Sequence, residues 1–210
     1  FTASQTVDSL VIKEIDSLIL VSRNLMRKND FEKALQVNAV AEKLVLEKFD
    51  STGNFYASVC FNKAWVLHLK GDLHDSEVNY LKAKYIQEKF VGRENSVYAW
   101  TLSNLGLLYF DMDKIEKAEM FLTEALSIRK LVLGNQHIEY AKNLDNLGRL
   151  YCDLGNFDKS ESLSLEAKSI LEKVIGKDHI DYVRCLTNLG LLYSDMNNYD
   201  LAEKYYLEAK

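Results

Sequence analysis

The sequence predicts an all-α fold, a right-handed superhelical solenoid of five helix-turn-helix repeats, on three observations. One motif, L-x-N-L-G-x-L-Y, occurs at Leu102 to Tyr109, Leu144 to Tyr151 and Leu186 to Tyr193, each copy 42 residues after the last. An alanine stands at the same place in every unit, at Ala41, Ala83, Ala125, Ala167 and Ala209. Proline is absent and only 9 of the 210 residues are glycine, so little interrupts a chain that runs helix after helix. Self-similarity at a fixed period of this size marks stacked units, none of which can bury its apolar face alone.

The first helix of each unit is defined best in the third copy, where Leu102, Leu105, Gly106 and Tyr109 follow the i, i+3, i+4, i+7 rule and mark a buried side. Weaker copies lie at Asn62 to Leu67 and Leu20 to Leu25. A column of small residues runs through these helices at Ser22, Ala64, Gly106, Gly148 and Gly190, and a second runs through the following helices at Ala34, Ser76, Ala118, Ser160 and Ala202. Glycine inside a helix costs about 1 kcal/mol relative to alanine, so glycines in register imply backbones that approach closely there.

Between the two helices, the column Asn29, Gly71, Asp113, Gly155 and Asn197 holds only residues that tolerate a left-handed backbone, as a helix C-cap requires. Two places later Phe31, Leu73, Ile115, Phe157 and Tyr199 begin the second helix. The expected repeats span about 8–50, 51–92, 93–134, 135–176 and 177–210 of a single domain over 1–210. The last unit stops early in its second helix and the chain opens at Phe1 without Met, so the sequence reads as a segment of a longer protein, with more chain expected after Lys210.

These residues resemble the tetratricopeptide repeat, with its small residue, its Tyr or Leu and its two alanines at the corresponding places. The 42-residue length, with the linker Leu133-Gly134-Asn135-Gln136-His137 echoed as Ile175-Gly176-Lys177-Asp178-His179, is similar to the kinesin light chain subtype, also found beside caspase-like (CHAT) protease domains. Where that family usually places proline after the linker histidine, this chain has Ile138 and Ile180. The resemblance implies a scaffold whose first helices line a concave groove and whose asparagines contact bound peptides.

Twenty-six basic against 31 acidic residues give a net charge of −5, and no run of like charges provides a footprint for nucleic acid. The apolar stretch Leu10 to Val21 is broken by Lys13, Glu14 and Asp16, so no membrane span is expected and the chain reads as cytoplasmic. Cys60, Cys152 and Cys185 are an odd number without CxxC spacing, which favours reduced, partly buried thiols.

No catalytic, cofactor or metal motif emerges. Gly176-Lys177 lacks the earlier glycine of a phosphate loop. Asp111 and Asp113 imitate the start of a calcium loop but lack its glycine and terminal glutamate, so a helix C-cap with an Asx turn is the expectation. His137 and His179 share one linker position and read as repeat features, while His68 and His74 have no partner at metal spacing. Cys152 with His179 lacks a third orienting group for a hydrolase.

At 100° per residue, the side opposite the third repeat's buried stripe carries Trp100, Asn104, Leu107 and Asp111. The equivalent stripes are Ser58, Asn62, Trp65 and Leu69; Lys142, Asn146, Arg149 and Asp153; and Arg184, Asn188, Leu191 and Asp195. These stripes are expected to face solvent. They hold both tryptophans of the chain, and apolar residues gathered on one surface mark a binding site. Asn62, Asn104, Asn146 and Asn188 supply one amide per repeat, each with two donors and an acceptor, for an extended peptide backbone. Trp65, Trp100, Leu107 and Leu191 are expected to pack its apolar side chains, and Lys142, Arg149 and Arg184 to favour an acidic one.

The expected function is therefore a scaffold for a protein or peptide partner, without catalysis of its own. Oligomeric state stays open at this level. So does the choice between a regulatory segment of a caspase-like protease, a cargo adaptor and a peptide-signal receptor, which would differ in the domain attached beyond Lys210.

Overall fold

The computed structural model describes residues 3–210, with side chains from Ser9 onward; Phe1 and Thr2, with which the expected domain begins, lie outside the described residues. Among the described residues there are ten α-helices and no strand. They fall into two compact units, Phe1–Arg93 and Glu94–Lys210.

The first unit contains α1 (Ala3–Arg27), α2 (Phe31–Lys48), α3 (Asn54–Lys70) and α4 (Leu73–Phe90). Two hairpins, α1 with α2 and α3 with α4, pack through α2 on α3 and α1 on α3. The second unit contains α5 (Ser96–Asp111), α6 (Ile115–Leu133), α7 (Ile138–Asp153), α8 (Phe157–Ile175), α9 (Ile180–Asp195) and α10 (Tyr199–Glu208). There α7 meets both α5 and α9, so consecutive first helices lie side by side, with α6, α8 and α10 forming the other row.

The turn column behaves as its residue types require. Asn29, Gly71, Asp113, Gly155 and Asn197 all have positive φ, between 57° and 93°. In each hairpin the next residue's amide returns to the first helix, as in Lys114 N to Tyr109 O at 2.8 Å and Asn156 N to Tyr151 O at 2.9 Å. This closes the carbonyls that a helix end leaves open.

The linker histidines acquire a specific role. His137 and His179 are the N-caps of α7 and α9, where each Nδ1 accepts the backbone N–H two residues on, from Glu139 and Asp181, at 3.1 Å. Asn95 does the same for α5 by accepting from Val97 N at 2.8 Å. Gly53, in the same column, leaves α3 without a side-chain cap.

The small columns bring the backbones together. A Cβ at Gly106 would lie 2.6 Å from Leu122 Cγ, at Gly148 2.3 Å from Ser164 Oγ, and at Gly190 2.5 Å from the Tyr206 ring. Where serine occupies a column, its hydroxyl bonds the facing carbonyl: Ser22 to Ala34 O at 2.9 Å, Ser76 to Ala64 O at 2.8 Å, and Ser160 to Gly148 O at 2.7 Å. Ala41, Ala83, Ala125 and Ala167 have no exposed surface. Leu102, Leu105 and Tyr109 are buried on the side that the periodicity assigns.

Buried polar clusters were not anticipated from periodicity. In the second unit the Arg129 guanidinium, 3% exposed, donates to Glu139 O and to Asn143 Oδ1, both at 3.0 Å, while Asn143 Nδ2 donates to Leu122 O at 2.7 Å. Glu139 Oε2 stands 3.3 Å from the same guanidinium, so the buried charge is paired as well as hydrogen-bonded.

Candidate binding face on the first helices

In the first unit the expected stripe divides. Asn62 does not face solvent; it has no exposed surface, because its amide bridges three elements of the hairpin stack. Its Nδ2 donates to Ser22 Oγ at 2.9 Å and to Asn38 Oδ1 at 2.8 Å, and its Oδ1 accepts from Arg23 Nε at 3.1 Å. An amide with these bonds holds α1, α2 and α3 together and is withdrawn from the peptide ladder. Trp65 is half-buried, with the Arg23 guanidinium 5.8 Å from its ring centroid and Phe61 at 6.4 Å. A side chain of α1 thus covers part of the ring.

In the second unit the stripe residues remain accessible in varying degree. Asn104, Asn146, Asn188, Trp100, Leu107 and Lys142 are half-buried, while Arg149, Arg184 and Leu191 are exposed. Trp100 and Lys142 are brought together around a hollow of about 290 Å³, whose other walls are Ser96, Val97 and Glu139. Between α7 and α9, Arg149, Asn188 and Leu191 meet in a narrower cleft of about 100 Å³ with Cys152, Asp153 and Asp195 and, from α8, Ser160 and Ser164.

The three amides are not equivalent. Asn104 Nδ2 donates to Trp100 O within its own helix at 2.9 Å, and Asn188 Nδ2 donates to Asp145 Oδ1 at 3.0 Å. The Asn146 side chain makes no hydrogen bond among the described residues. Each of the first two retains its carbonyl oxygen and a second N–H, so all three keep capacity for a partner.

The basic residues are more committed than their sequence positions suggest. Lys142 Nζ lies 3.0 Å from Glu139 and 4.0 Å from Asp181, and Arg184 lies 3.3 Å from Asp145 and 3.7 Å from Asp181. Arg149 has no carboxylate partner among the described residues; its guanidinium rests 5.7 Å from the Phe110 ring centroid. The expected attraction for an acidic partner side chain therefore narrows to Arg149. Sequence reasoning missed Glu139, Asp145 and Asp181, since nothing in a helical wheel shows which carboxylate will reach across to the next helix.

The thiols are poor nucleophiles. Cys60, Cys152 and Cys185 are free and buried. Burial pushes Cys152 up to about 12, reinforced by Asp195, whose Oδ2 accepts from its Sγ at 3.4 Å. Only a thiolate attacks efficiently, and this environment opposes forming one. His179, which a cysteine hydrolase would need as its base, is occupied in capping α9. Among the described residues no three of His, Cys, Asp and Glu gather as a metal site would require, and no helix is long and apolar enough to cross a membrane.

Comparison with known proteins agrees with this architecture. The family model described as tetratricopeptide repeat matches residues 57–131, 97–157 and 139–210. No curated protein matches the sequence. Among solved structures, BtubC (BKLC) from P. vanneervenii is similar with a TM-score of 0.77 at 21% identity, covering 100% of this chain and 90% of that one. A Podosopora anserina putative kinesin light chain with nearly identical TPR-like repeats gives 0.74 at 14% identity, covering 93% and 92%. The apo form of RapI gives 0.69 at 18% identity, covering 98% of this chain and 57% of that one. At these identities the likeness is one of fold.

Proposed function

Because the chain belongs to the tetratricopeptide repeat family, we propose that it is a protein interaction scaffold that holds an extended peptide segment against the first helices of its second unit, and that it catalyses no reaction of its own. The observation that supports this reading best is the convergence of Trp100 and Lys142 on one hollow between α5 and α7 and of Arg149, Asn188 and Leu191 on one cleft between α7 and α9, floored by Ser160 and Ser164 of α8. A tryptophan beside a hollow offers a large apolar contact at low entropic cost, which is how interface anchors work.

Asn146, between the two recesses in sequence, is the amide with most capacity for a peptide backbone, and Asn104 and Asn188 extend the row. Arg149 takes an acidic side chain of the partner, and Leu191 an apolar one. The remaining cations are already paired, so we expect micromolar affinity, about −8 kcal/mol, with limited dependence on salt. A cargo adaptor, a regulatory segment of a protease and a peptide-signal receptor would all use this face, in a cytoplasmic setting, and differ in the neighbouring domains.

The test is selection of phage-displayed random 12-residue peptides on the chain, followed by titration of the synthetic winners. Trp100→Ala and Asn146→Ala should each weaken binding at least tenfold with an unchanged melting temperature. Full binding by both variants would place the peptide elsewhere and overturn the proposal.

A further inference from the structure

A hollow of the first unit, about 460 Å³, lies away from the first-helix stripe, between the start of α3 and the last turns of α4. Its walls are Tyr56, Tyr85 and Ile86, and its polar lining is Lys82 and Lys89 with the hydroxyls of Ser51 and Thr52. That volume falls within the range of small-ligand pockets, about 300 to 1,000 Å³.

The internal repeat provides a control for what this place ordinarily holds. At the position of Lys82 the three later repeats carry Glu124, Glu166 and Glu208. Two of those glutamates accept from the repeat tyrosine, Tyr140 to Glu166 at 3.5 Å and Tyr182 to Glu208 at 2.7 Å. In the second repeat the acid has become a lysine, and Tyr56 turns to Glu42 instead, at 3.4 Å. At the position of Tyr85 the next two repeats carry Ser127 and Ser169. Two departures from the repeat therefore fall at one hollow, one reversing its charge and the other adding an aromatic wall.

Three nearby carboxylates already have partners: Glu42 of α2 is met by Lys63 at 3.0 Å as well as by Tyr56, Asp50 accepts from the Thr52 amide at 2.8 Å, and Glu88 of α4 accepts from Arg93 Nε at 2.7 Å. The Lys89 ammonium lies 4.2 Å from the Tyr85 ring centroid and donates to the Tyr85 hydroxyl, which holds it at this wall. The hollow combines two flat rings, an aliphatic floor and two ammonium groups, which is complementary to a planar apolar body bearing one negative charge.

We propose that this hollow is a binding site for a small aromatic carboxylate, whose ring lies between Tyr56 and Tyr85 while its carboxylate meets Lys82 and Lys89. The site is independent of the peptide-binding reading.

The experiment titrates the ¹⁵N-labelled chain with benzoate, 3-phenylpropionate and indole-3-acetate, each paired with its uncharged amide, and follows backbone amide shifts. At least one carboxylate should give saturable shifts centred on Ser51, Thr52, Tyr56 and Tyr85, with its amide at least tenfold weaker. Lys82→Glu and Tyr85→Ser install residues that the repeat already tolerates at these positions, so both should fold with an unchanged melting temperature, and each should weaken the response at least tenfold. Absence of a response to all three carboxylates, equal response to the amides, or retention of binding in a folded Lys82→Glu variant would each overturn the proposal.

Discussion

Asn188 donates from Nδ2 to Asp145 Oδ1 across 3.0 Å, tying an amide on the open face of α9 to a carboxylate on α7 that has no exposed surface. The other oxygen, Oδ2, has the Arg184 guanidinium at 3.3 Å as its ion-pair partner, without an aligned hydrogen bond. One buried acid thus orients two residues of the candidate binding face. The same column holds Ser103 and Thr187 in neighbouring repeats, so the charge is particular to this one.

Burial holds the Asp145 carboxyl above the usual carboxylate range, and Arg184 only partly offsets it. A carboxyl whose folded pKa exceeds its unfolded value favours the fold while protonated, below the ordinary carboxylate range, and that contribution is lost as pH rises through the folded pKa. Asp145→Asn removes this dependence and keeps an acceptor for Asn188. Its unfolding free energy from urea denaturation at pH 7.5 should therefore equal or exceed that of the parent, by up to about 1 kcal/mol, and the advantage should shrink as pH falls below the raised pKa. A variant destabilised by several kcal/mol at pH 7.5 would show that the Arg184 pair outweighs desolvation.

The glycine columns give a ranking. Ala at Gly106 meets Leu122 Cγ at 2.6 Å and also the Leu122 backbone nitrogen at 3.2 Å, which cannot rotate away. At Gly148 the close atom is Ser164 Oγ, a rotor, and the nearest backbone atom is 3.4 Å off. Overpacking costs about 1 to 3 kcal/mol against a gain of about 1 kcal/mol in helix propensity. Gly106→Ala should destabilise clearly and Gly148→Ala little, as read from chemical denaturation; the reverse order would contradict this packing.

His137→Ala and His179→Ala should each lower stability by about 1 kcal/mol, because each removes the acceptor for a first-turn amide of α7 or α9. Amide hydrogen exchange locates the effect: Glu139 N–H or Asp181 N–H should lose protection while the helix centres keep theirs.

Tyr80 has a fully buried hydroxyl with no hydrogen-bond partner among the described residues, and its ring packs edge-on against Phe61 at 5.4 Å. A buried polar group left unpaired costs about 1 to 3 kcal/mol, so Tyr80→Phe should leave stability unchanged or raise it by up to that amount in thermal unfolding.

The architecture was legible in the sequence because it rests on short-range rules. Left-handed turn positions admit few residue types, and close backbone contact admits only small ones, so Asn29, Gly71 and Gly106 announce themselves. The polar network was not legible, because it depends on which side chain reaches which across two helices. Asn62 and Asn146 occupy one column and share one type, yet the first is enclosed by Ser22, Asn38 and Arg23 while the second is open. The counterparts of those enclosing residues around Asn146 are different, with Gly106 where Ser22 stands, Leu107 where Arg23 stands and Leu122 where Asn38 stands, so the asparagine column alone carries no sign of the difference.

That divergence yields the sharpest contrast between structural and binding asparagines. Asn62→Ala deletes two donated bonds and one accepted bond from a site with no exposed surface, and removes the acceptor of the Arg23 Nε–H and the donor to Asn38 Oδ1. Unmet buried polar groups cost about 1 to 3 kcal/mol each, so the variant should lose about 2 to 4 kcal/mol of stability. Asn146→Ala breaks no bond among the described residues, and a half-exposed substitution of this kind should stay within about 0.5 kcal/mol of the parent, while an alanine gain in helix propensity works in its favour. Equilibrium urea denaturation of the two variants side by side checks this. A large loss in Asn146→Ala would reveal it as a stacking residue like Asn62 and remove the central amide from the proposed peptide contact.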